Sequence, residues 1–271
     1  MLPELEQLKE LWQLCFGDSR EYADFFFGRA YRPEGTRTRV RDGKIVSAAQ
    51  FFHFDITNGP HLLKSAYILG VCTHPDYRRQ GLSGSIIRQI LTEQADAGMD
   101  LAFLIPSAAH LFTFYEKLGF SGVFTAYEDF LSPVKPDKPY EQMNPSVDAL
   151  YDFYDKFHRS LPSAVIKDRD YFNFAIDDFA QYGQIHVCGV NGDIYGFAAV
   201  DGDVVKELLY LDTNARDTLL STIRPTHSRN SIRAITPTFS PTATKRTIGM
   251  AHILNPQAPT PTDSYANLLL N

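Results

Sequence analysis

Residues 69–84 read Leu69-Gly-Val-Cys-Thr-His-Pro-Asp-Tyr-Arg-Arg-Gln-Gly-Leu-Ser-Gly84. An apolar strand ends at Thr73, a turn follows at His74-Pro75, and an amphipathic helix begins near 82. That helix, predicted over 82–97, carries Ile86, Ile87, Ile90, Leu91 and Ala95 on one face. Between strand and helix, Arg78, Gly81 and Ser83 fit the pattern Arg-x-x-Gly-x-small. A turn without bulky Cβ groups lets the backbone wrap closely round a ligand. Its N–H groups then point into one concavity, and the helix N-terminus adds partial positive charge. Arg78 and Arg79 add formal charge, so the stretch suits a pyrophosphate. Neither of the two common phosphate motifs, Gly-x-x-x-x-Gly-Lys-Ser/Thr or Gly-x-Gly-x-x-Gly, is present.

Upstream, Leu5, Leu8, Leu11, Trp12 and Cys15 recur at helical spacing over 3–16. Gly17-Asp18-Ser19 breaks that helix, and Ser19 caps the next, over 20–30, with Tyr22, Phe25, Phe26 and Ala30 inward. Thr36–Arg41 alternates and ends in Asp42-Gly43, a hairpin turn, and Ile45–Phe54 continues as an apolar strand. His61–Thr73 reads as a third and fourth strand region. Downstream, Leu101–Ile105 is a short buried strand, followed by a helix around 108–118 and a strand around 120–130.

Ser132-Pro-Val-Lys-Pro-Asp-Lys-Pro139 holds three prolines in eight residues, a density that stiffens an extended segment and stops a helix or central strand. The expected division is therefore 1–134 and 140–271. The second part opens with helices near 146–160 and 168–181. Strands follow at Gln184–Val190, Ile194–Val200 and Val204–Leu211, joined by the hairpin signals Asn191-Gly192 and Asp201-Gly202. A short helix over 213–223 and strands over 231–236 and 246–253 close the chain. The shared order of elements suggests a degenerate duplication of one unit.

The composition excludes several classes. With 271 residues, 44% hydrophobic, the chain has enough apolar surface for a sizeable core. The formal charge of −6 argues against a broad nucleic-acid-binding surface. Up to Lys135 there are 14 basic and 16 acidic residues, or −2, so −4 falls in the remainder. No apolar run approaches the roughly 18–20 residues of a membrane helix. The acidic, amphipathic start lacks the basic and apolar regions of an export signal, which predicts a cytoplasmic protein. Cys15, Cys72 and Cys188 are widely spaced and read as reduced core thiols. The histidines show no HxxxH or HExxH spacing, so no metal site is expected.

Two stretches in register carry a resemblance. Val71-Cys-Thr-His-Pro-Asp-Tyr-Arg-Arg-Gln-Gly-Leu82 resembles the acetyl-CoA motif of the GCN5-related N-acetyltransferase (GNAT) superfamily, and Phe114-Tyr-Glu-Lys-Leu-Gly-Phe120 resembles its second signature. The layout, with the late run Ile248-Gly-Met-Ala-His-Ile-Leu254, is similar to the two-domain enhanced-intracellular-survival acetyltransferases. The resemblance implies an α/β (α+β) GNAT fold: a mixed, mostly antiparallel sheet flanked by helices. A second, GNAT-like half without the phosphate loop would follow. It implies acetyl-CoA as co-substrate. The backbone of Val71, Cys72 and Thr73 would hold the pantetheine arm. Arg78, Arg79, Gln80, Gly81, Leu82, Ser83 and Gly84 would hold the pyrophosphate. Tyr115 would protonate the departing thiolate. Ala108 stands where many members carry a pantetheine-contacting Asn.

The implied reaction is acetyl transfer to a primary amine by direct attack, the acceptor being a small molecule or peptide, with no nucleic acid and no membrane as partner. The alternative is a binding or regulatory module that holds a CoA ester without turnover. No general base is evident. His53, Asp55, His74, His110 and Glu128 lie near strand ends that could border the cleft, each reading more simply as a surface or capping residue. Asp168, Asp170, Asp177 and Asp178 read as a capped helix with a solvated acidic face. The apolar tail Tyr265–Asn271 is expected to dock, which raises the question of whether the Asn271 carboxylate reaches the site.

Overall fold

The chain opens with two helices, α1 (Glu4–Phe16) and α2 (Arg20–Arg29). The computed structural model describes residues 4–223, 231–237 and 240–267. Leu8, Leu11 and Trp12 bury one stripe of α1, and Ser19 caps α2 by accepting the Tyr22 N–H at 3.1 Å. The Trp12 indole stacks on Phe26 with ring centres 4.4 Å apart and donates to Asp18 at 2.7 Å, which fixes the angle between the helices.

β1 (Thr36–Arg41) and β2 (Lys44–Asn58) form a hairpin whose turn, Asp42 at φ 50° and Gly43 at φ 74°, has the left-handed geometry two-residue hairpins favour. Residues 61–73, read from sequence as a third and fourth strand region, are one strand, β3 (His61–Thr73). β2 pairs along nearly its whole length, and one extra residue is absorbed between Leu69 and Cys72 as a bulge. Gly70 sits in that bulge at φ +60°, where a Cβ would lie 2.8 Å from the Trp12 ring. Gly70→Ala is therefore expected to destabilise the fold by about 1–3 kcal/mol, through backbone strain and displacement of Trp12. A shift in the urea midpoint at unchanged slope checks this.

The remaining elements are α3 (Leu82–Asp96), β4 (Leu101–Leu104), α4 (Ala109–Glu116), β5 (Ser121–Leu131), β6 (Glu141–Met143), α5 (Val147–Ser160), β7 (Ser163–Ile166), α6 (Arg169–Phe179), β8 (Gln184–Val190), β9 (Asp193–Asp201), β10 (Val204–Tyr210), α7 (Thr213–Thr222), β11 (Ile232–Thr236) and β12 (Thr244–Ile253). They form a mixed sheet in the order β1-β2-β3-β4-β12-β5-β11-β10-β9-β8-β6, with β7 attached to β2. Among the described residues only β3–β4 and β10–β11 pair in parallel. Two short strands, β6 and β7, were not expected from sequence.

The sheet does not break at 132–139. β12 is inserted between β4 and β5, and β5 in turn is followed by β11. β7 pairs with Asp55–Asn58 of β2, beyond the point where β1 ends at Gln50. Strands from either side of the proline-rich segment therefore alternate at the centre of one sheet.

Two features of this frame position the site. β3 and β4 pair only over Ser65–Tyr67 with Leu101–Phe103, so the rest of β3, to Thr73, diverges from β4. The two faces of the sheet are packed separately: α1 and α2 cover Tyr67, Leu69 and Cys72, while α3 and α4 cover Ala66, Ile68 and Leu104.

The acidic run on α6 differs from its expected solvated face. Asp168 caps the helix, accepting the Tyr171 N–H at 2.7 Å, and Asp177 pairs with Arg29. Asp178 is buried and accepts from the Tyr22 hydroxyl at 2.8 Å, tying α6 to α2. The tail docks through the described residues. Ser264 bridges to Phe124 and Tyr265 to Ala164, joining β5 to β7. Asn271 lies outside the described residues.

Candidate functional site

β3 delivers the backbone of Val71, Cys72 and Thr73 along its diverging edge, and the loop from His74 returns the chain to α3. Two side-chain contacts brace this corner. The Thr73 hydroxyl lies 2.6 Å from that of Ser83, and Ser47 donates to the Cys72 carbonyl at 2.7 Å. Arg78 donates from Nε to the Thr73 carbonyl at 3.2 Å, folding the loop back on the strand end. Arg79 at φ 62° and Gly81 at φ 76° are both left-handed, which turns the backbone sharply into the helix. Gly81 is the N-cap of α3 and offers no side-chain cap, so no capping side chain covers the first-turn N–H groups of Leu82, Ser83 and Gly84. These N–H groups and the two arginines form a concavity for an anion of the size and charge of a pyrophosphate.

From the second side, α4 contributes Leu111, Phe114 and Tyr115; from the third, the end of α1 contributes Cys15 and Phe16. The cleft so enclosed has a volume of about 330 Å³. Val71, Cys72, Thr73, Arg78, Arg79, Gly81, Leu82, Ser83, Gly84 and Tyr115 all line it. Gln80, also named from sequence, is not among the lining residues, because the turn at Arg79 and Gly81 directs it outward. The residues present thus match the parts of a CoA ester: a polar turn for the phosphates, an unpaired strand edge for the amides, and apolar side chains for the thioester end.

Tyr115 is 7% exposed and packs edge-on against Phe120 at 5.9 Å. Burial pushes its hydroxyl up to about 12, so it is held in the protonated, donor form. Phe114 and Phe16 are large exposed apolar side chains at the rim.

None of the five candidate bases lines this cleft among the described residues. Glu128 is buried between Arg233 and Arg246; burial works to raise its carboxyl, but the two guanidiniums outweigh it and hold it below the usual range. His53 donates from Nε2 to Gln94 at 2.7 Å, and Asp55 pairs with Lys64. His110 is exposed on α4, and His74 accepts the Asp76 N–H through Nδ1. Among the described residues there is no cluster of His, Cys, Asp or Glu that could hold a metal. No helix among them is long and apolar enough to cross a membrane. A larger cleft of about 740 Å³ lies beyond Tyr77, between α1 and the β1–β2 turn, but it has neither the glycine turn nor a helix N-terminus.

Cys15 and Phe16 were not expected at the site. Helical spacing points Cys15 inward and leaves Phe16 exposed, but that the end of α1 faces the β3 turn is a tertiary fact.

Residues 3–123 match the family model described as the acetyltransferase (GNAT) domain. No curated protein sequence matches the chain. Among solved structures, the fold is similar to that of a probable N-acyltransferase from Enterococcus faecalis, with a TM-score of 0.72 at 16% identity over 94% of this chain and 71% of that one. It is similar to a GCN5-related N-acetyltransferase from Anabaena variabilis, with a TM-score of 0.71 at 15% identity over 93% and 70%. It is also similar to Eis1 from Mycobacterium abscessus, with a TM-score of 0.67 at 13% identity over 93% and 72%. At these identities the structures establish the shared fold, while the family model identifies the cofactor-side half. Residues 3–123 thus match the acetyltransferase (GNAT) domain, and the chain as a whole has the fold of the N-acetyltransferases it is similar to.

Proposed function

We propose that the protein transfers an acetyl group from acetyl-CoA to a primary amine by direct attack of the amine on the thioester. One observation carries this reading: the diverging edge of β3, the uncapped N-terminus of α3 and Tyr115 converge on a single cleft. Pantetheine pairs with Val71–Thr73 as an added strand, and the Arg78–Gly84 turn, with Gln80 at its outer side, binds the pyrophosphate. The amine nitrogen forms a bond to the carbonyl carbon, and a β3 backbone N–H steadies the oxyanion. The C–S bond then breaks, with Tyr115 donating to the sulfur. The acceptor is a small molecule or peptide amine, and the lean of charge toward the second half of the chain favours a cationic one. The free thiols of Cys15, Cys72 and Cys188 support a cytoplasmic location. The division at 132–139 is retained as one between a cofactor-binding part (1–134) and a GNAT-like part (140–271) that walls the acceptor side.

The absence of a candidate base from the cleft lining favours a second reading, a module that binds a CoA ester without turnover. Release of free thiol from acetyl-CoA in the presence of an amine panel separates the two. Turnover with any amine supports the transferase; tight binding with no thiol released from any amine supports the binder. The phosphate turn has its own test. Arg79→Ala combined with Gly81→Asp removes a cation and adds an anion, and is expected to weaken acetyl-CoA binding at least 100-fold, about 2.7 kcal/mol by calorimetry. Unaltered affinity in the folded double variant would sink the assignment.

A further inference from the structure

β1 and β7 both pair with the same edge of β2, and they do not meet. β1 begins with Thr36 opposite Gln50, and β7 ends with Ile166 opposite Asp55. Among the described residues, no strand pairs that edge over Phe51–Phe54. Gly35 backs onto the Phe51 end, where a Cβ on it would lie 2.5 Å from the Phe51 carbonyl oxygen. The open length is therefore Phe52–Phe54, about 10 Å of strand. An open stretch of edge between two paired ones is a slot for a short piece of extended backbone.

A cavity of about 270 Å³ lies at this gap. Its apolar wall is aromatic: Phe52 and Phe54 of β2 pack on Tyr171 of α6 with ring centres 5.2 and 4.7 Å away. Its charges are divided between the two ends. Arg32 lies at the Gly35 end, its Cβ 3.7 Å from where a Gly35 Cβ would stand. The Arg32 guanidinium donates to the carbonyls of Arg29 and Tyr31 and has no carboxylate partner among the described residues. Asp168 and Asp170 lie at the other end, just past Ile166. One oxygen of Asp168 caps α6, and Asp170 is exposed with no ion pair among the described residues.

We propose that this gap binds a free tripeptide, extended and antiparallel to β2. Strand direction and charge agree on the orientation. β1 and β7 both run antiparallel to β2, so a peptide that continues β7 toward β1 starts at the aspartates and ends at Arg32. Its ammonium then faces Asp168 and Asp170, and its carboxylate faces Arg32. The opposite orientation sets like charge against like at both ends. The peptide backbone completes the edge of β2, and an apolar side chain rests on Phe52 and Tyr171. Recognition through backbone and termini tolerates different side chains but requires both termini free. The cavity shares no lining residue with the cofactor cleft, and the proposal does not rest on the acetyl-CoA reading.

The test uses the full chain and the probe Ala-Phe-Ala with free termini. Calorimetry is expected to show a single site, and amide exchange over Phe52–Phe54 to slow at least tenfold with the peptide bound. Acetylating the N-terminus of the probe, or amidating its C-terminus, is expected to weaken binding at least tenfold. Arg32→Glu is expected to weaken the free peptide at least tenfold while leaving the C-amidated one within about threefold. Asp170→Lys is expected to weaken the free peptide while leaving the N-acetylated one within about threefold. Both side chains are exposed, so the unfolding midpoints stay with the parent. Failure of Ala-Phe-Ala to bind the folded protein at about 5 mM overturns the site. Binding that leaves exchange over Phe52–Phe54 unchanged overturns the gap as its place. Equal affinity for a doubly blocked probe overturns the need for free termini, and exchange of the two variants' effects between the ends overturns the orientation.

Discussion

Tyr115→Phe is expected to lower kcat by about 10²–10⁴ while leaving KM for acetyl-CoA within about threefold. The substitution removes one oxygen from a side chain that already sits in an apolar setting between Phe114 and Phe120. Packing is retained, so the unfolding midpoint stays close to that of the parent. What is lost is the hydroxyl proposed to donate to the sulfur. Burial holds the phenol at about 12, and a departing thiol ionises nearer 8.5. Complete early proton transfer is therefore uphill, and the hydroxyl contributes chiefly by donating to the sulfur as charge builds there. That interaction exists only in the transition state, which is why the loss falls on kcat and not on binding. The parent enzyme's rate is expected to rise as the acceptor amine deprotonates, with no descending limb from Tyr115 below about pH 11. A Phe variant with kcat within a factor of three of the parent would remove Tyr115 from the mechanism.

Glu207→Gln is expected to destabilise the fold by about 3–5 kcal/mol. Glu207 is fully buried on β10 and accepts from the Tyr265 hydroxyl at 3.0 Å and the Tyr154 hydroxyl at 3.2 Å. Lys167, 2% exposed, donates to the Tyr154 hydroxyl at 2.9 Å and lies over that ring at 4.9 Å. His158 donates from Nδ1 to the Tyr154 carbonyl at 2.9 Å, and its Nε2 faces Glu207 at 3.6 Å. Removing the carboxylate charge leaves the Lys167 ammonium with no buried anion. For a chain of this size that amounts to roughly 10 °C in the thermal midpoint. Lys167→Met in the same background is expected to recover part of the loss, because an apolar side chain needs no counter-charge. Burial brings Lys167 down to about 8. The unfolded lysine, at about 10.4, holds its proton more tightly than the folded one, so stability rises with pH between about 8 and 10. This rise, about 2 kcal/mol over the window, should vanish in the Lys167→Met variant. Above pH 10 the buried tyrosines Tyr154 and Tyr265, both raised chiefly by burial, reverse the trend, since they ionise first in the unfolded chain. A denaturation series across this range reads both effects; a Glu207→Gln loss below 1 kcal/mol would show that the cluster is not a charged one.

How far the fold was legible follows from which signals are local. α1, α2 and α3 declare themselves by apolar spacing, α2 also by its Ser19 cap, and the β1–β2 and β8–β9 turns by Asp42-Gly43 and Asn191-Gly192. β7 did not, because Ser163-Ala-Val-Ile166, three apolar residues after a serine, carries no period, and its partner strand lies about a hundred residues earlier. The run at 61–73, read as a third and fourth strand region, is one strand in which Gly70 is absorbed as a bulge against β2 and Trp12, a contact with no local signal. The insertion of β12 between β4 and β5 has no sequence signal of its own.

At the site, ten of the eleven residues named from sequence share one cleft because ten of the eleven are contiguous between 71 and 84 save for the turn, and α4 returns Tyr115 to them. The opposite wall was not legible. Cys15 reaches the β3 turn through the packing of Trp12 on Phe26, and Asp178 leaves solvent through Tyr22, contacts that only the folded helices create.

The place of β12 also sets a schedule for synthesis. β4 and β5 are complete once Leu131 has been made, but the strand that separates and pairs both of them begins only at Thr244. At about 5–20 residues per second, that interval lasts roughly 5–20 s on the ribosome. Through it, two central strand edges wait without the partner they will finally take, in the part of the chain that carries the cofactor cleft. The half that looks self-sufficient in its motifs therefore becomes a finished sheet only when β12 arrives, more than a hundred residues after β5. The burden of keeping those edges from pairing wrongly falls on the nascent chain and on whatever shields it.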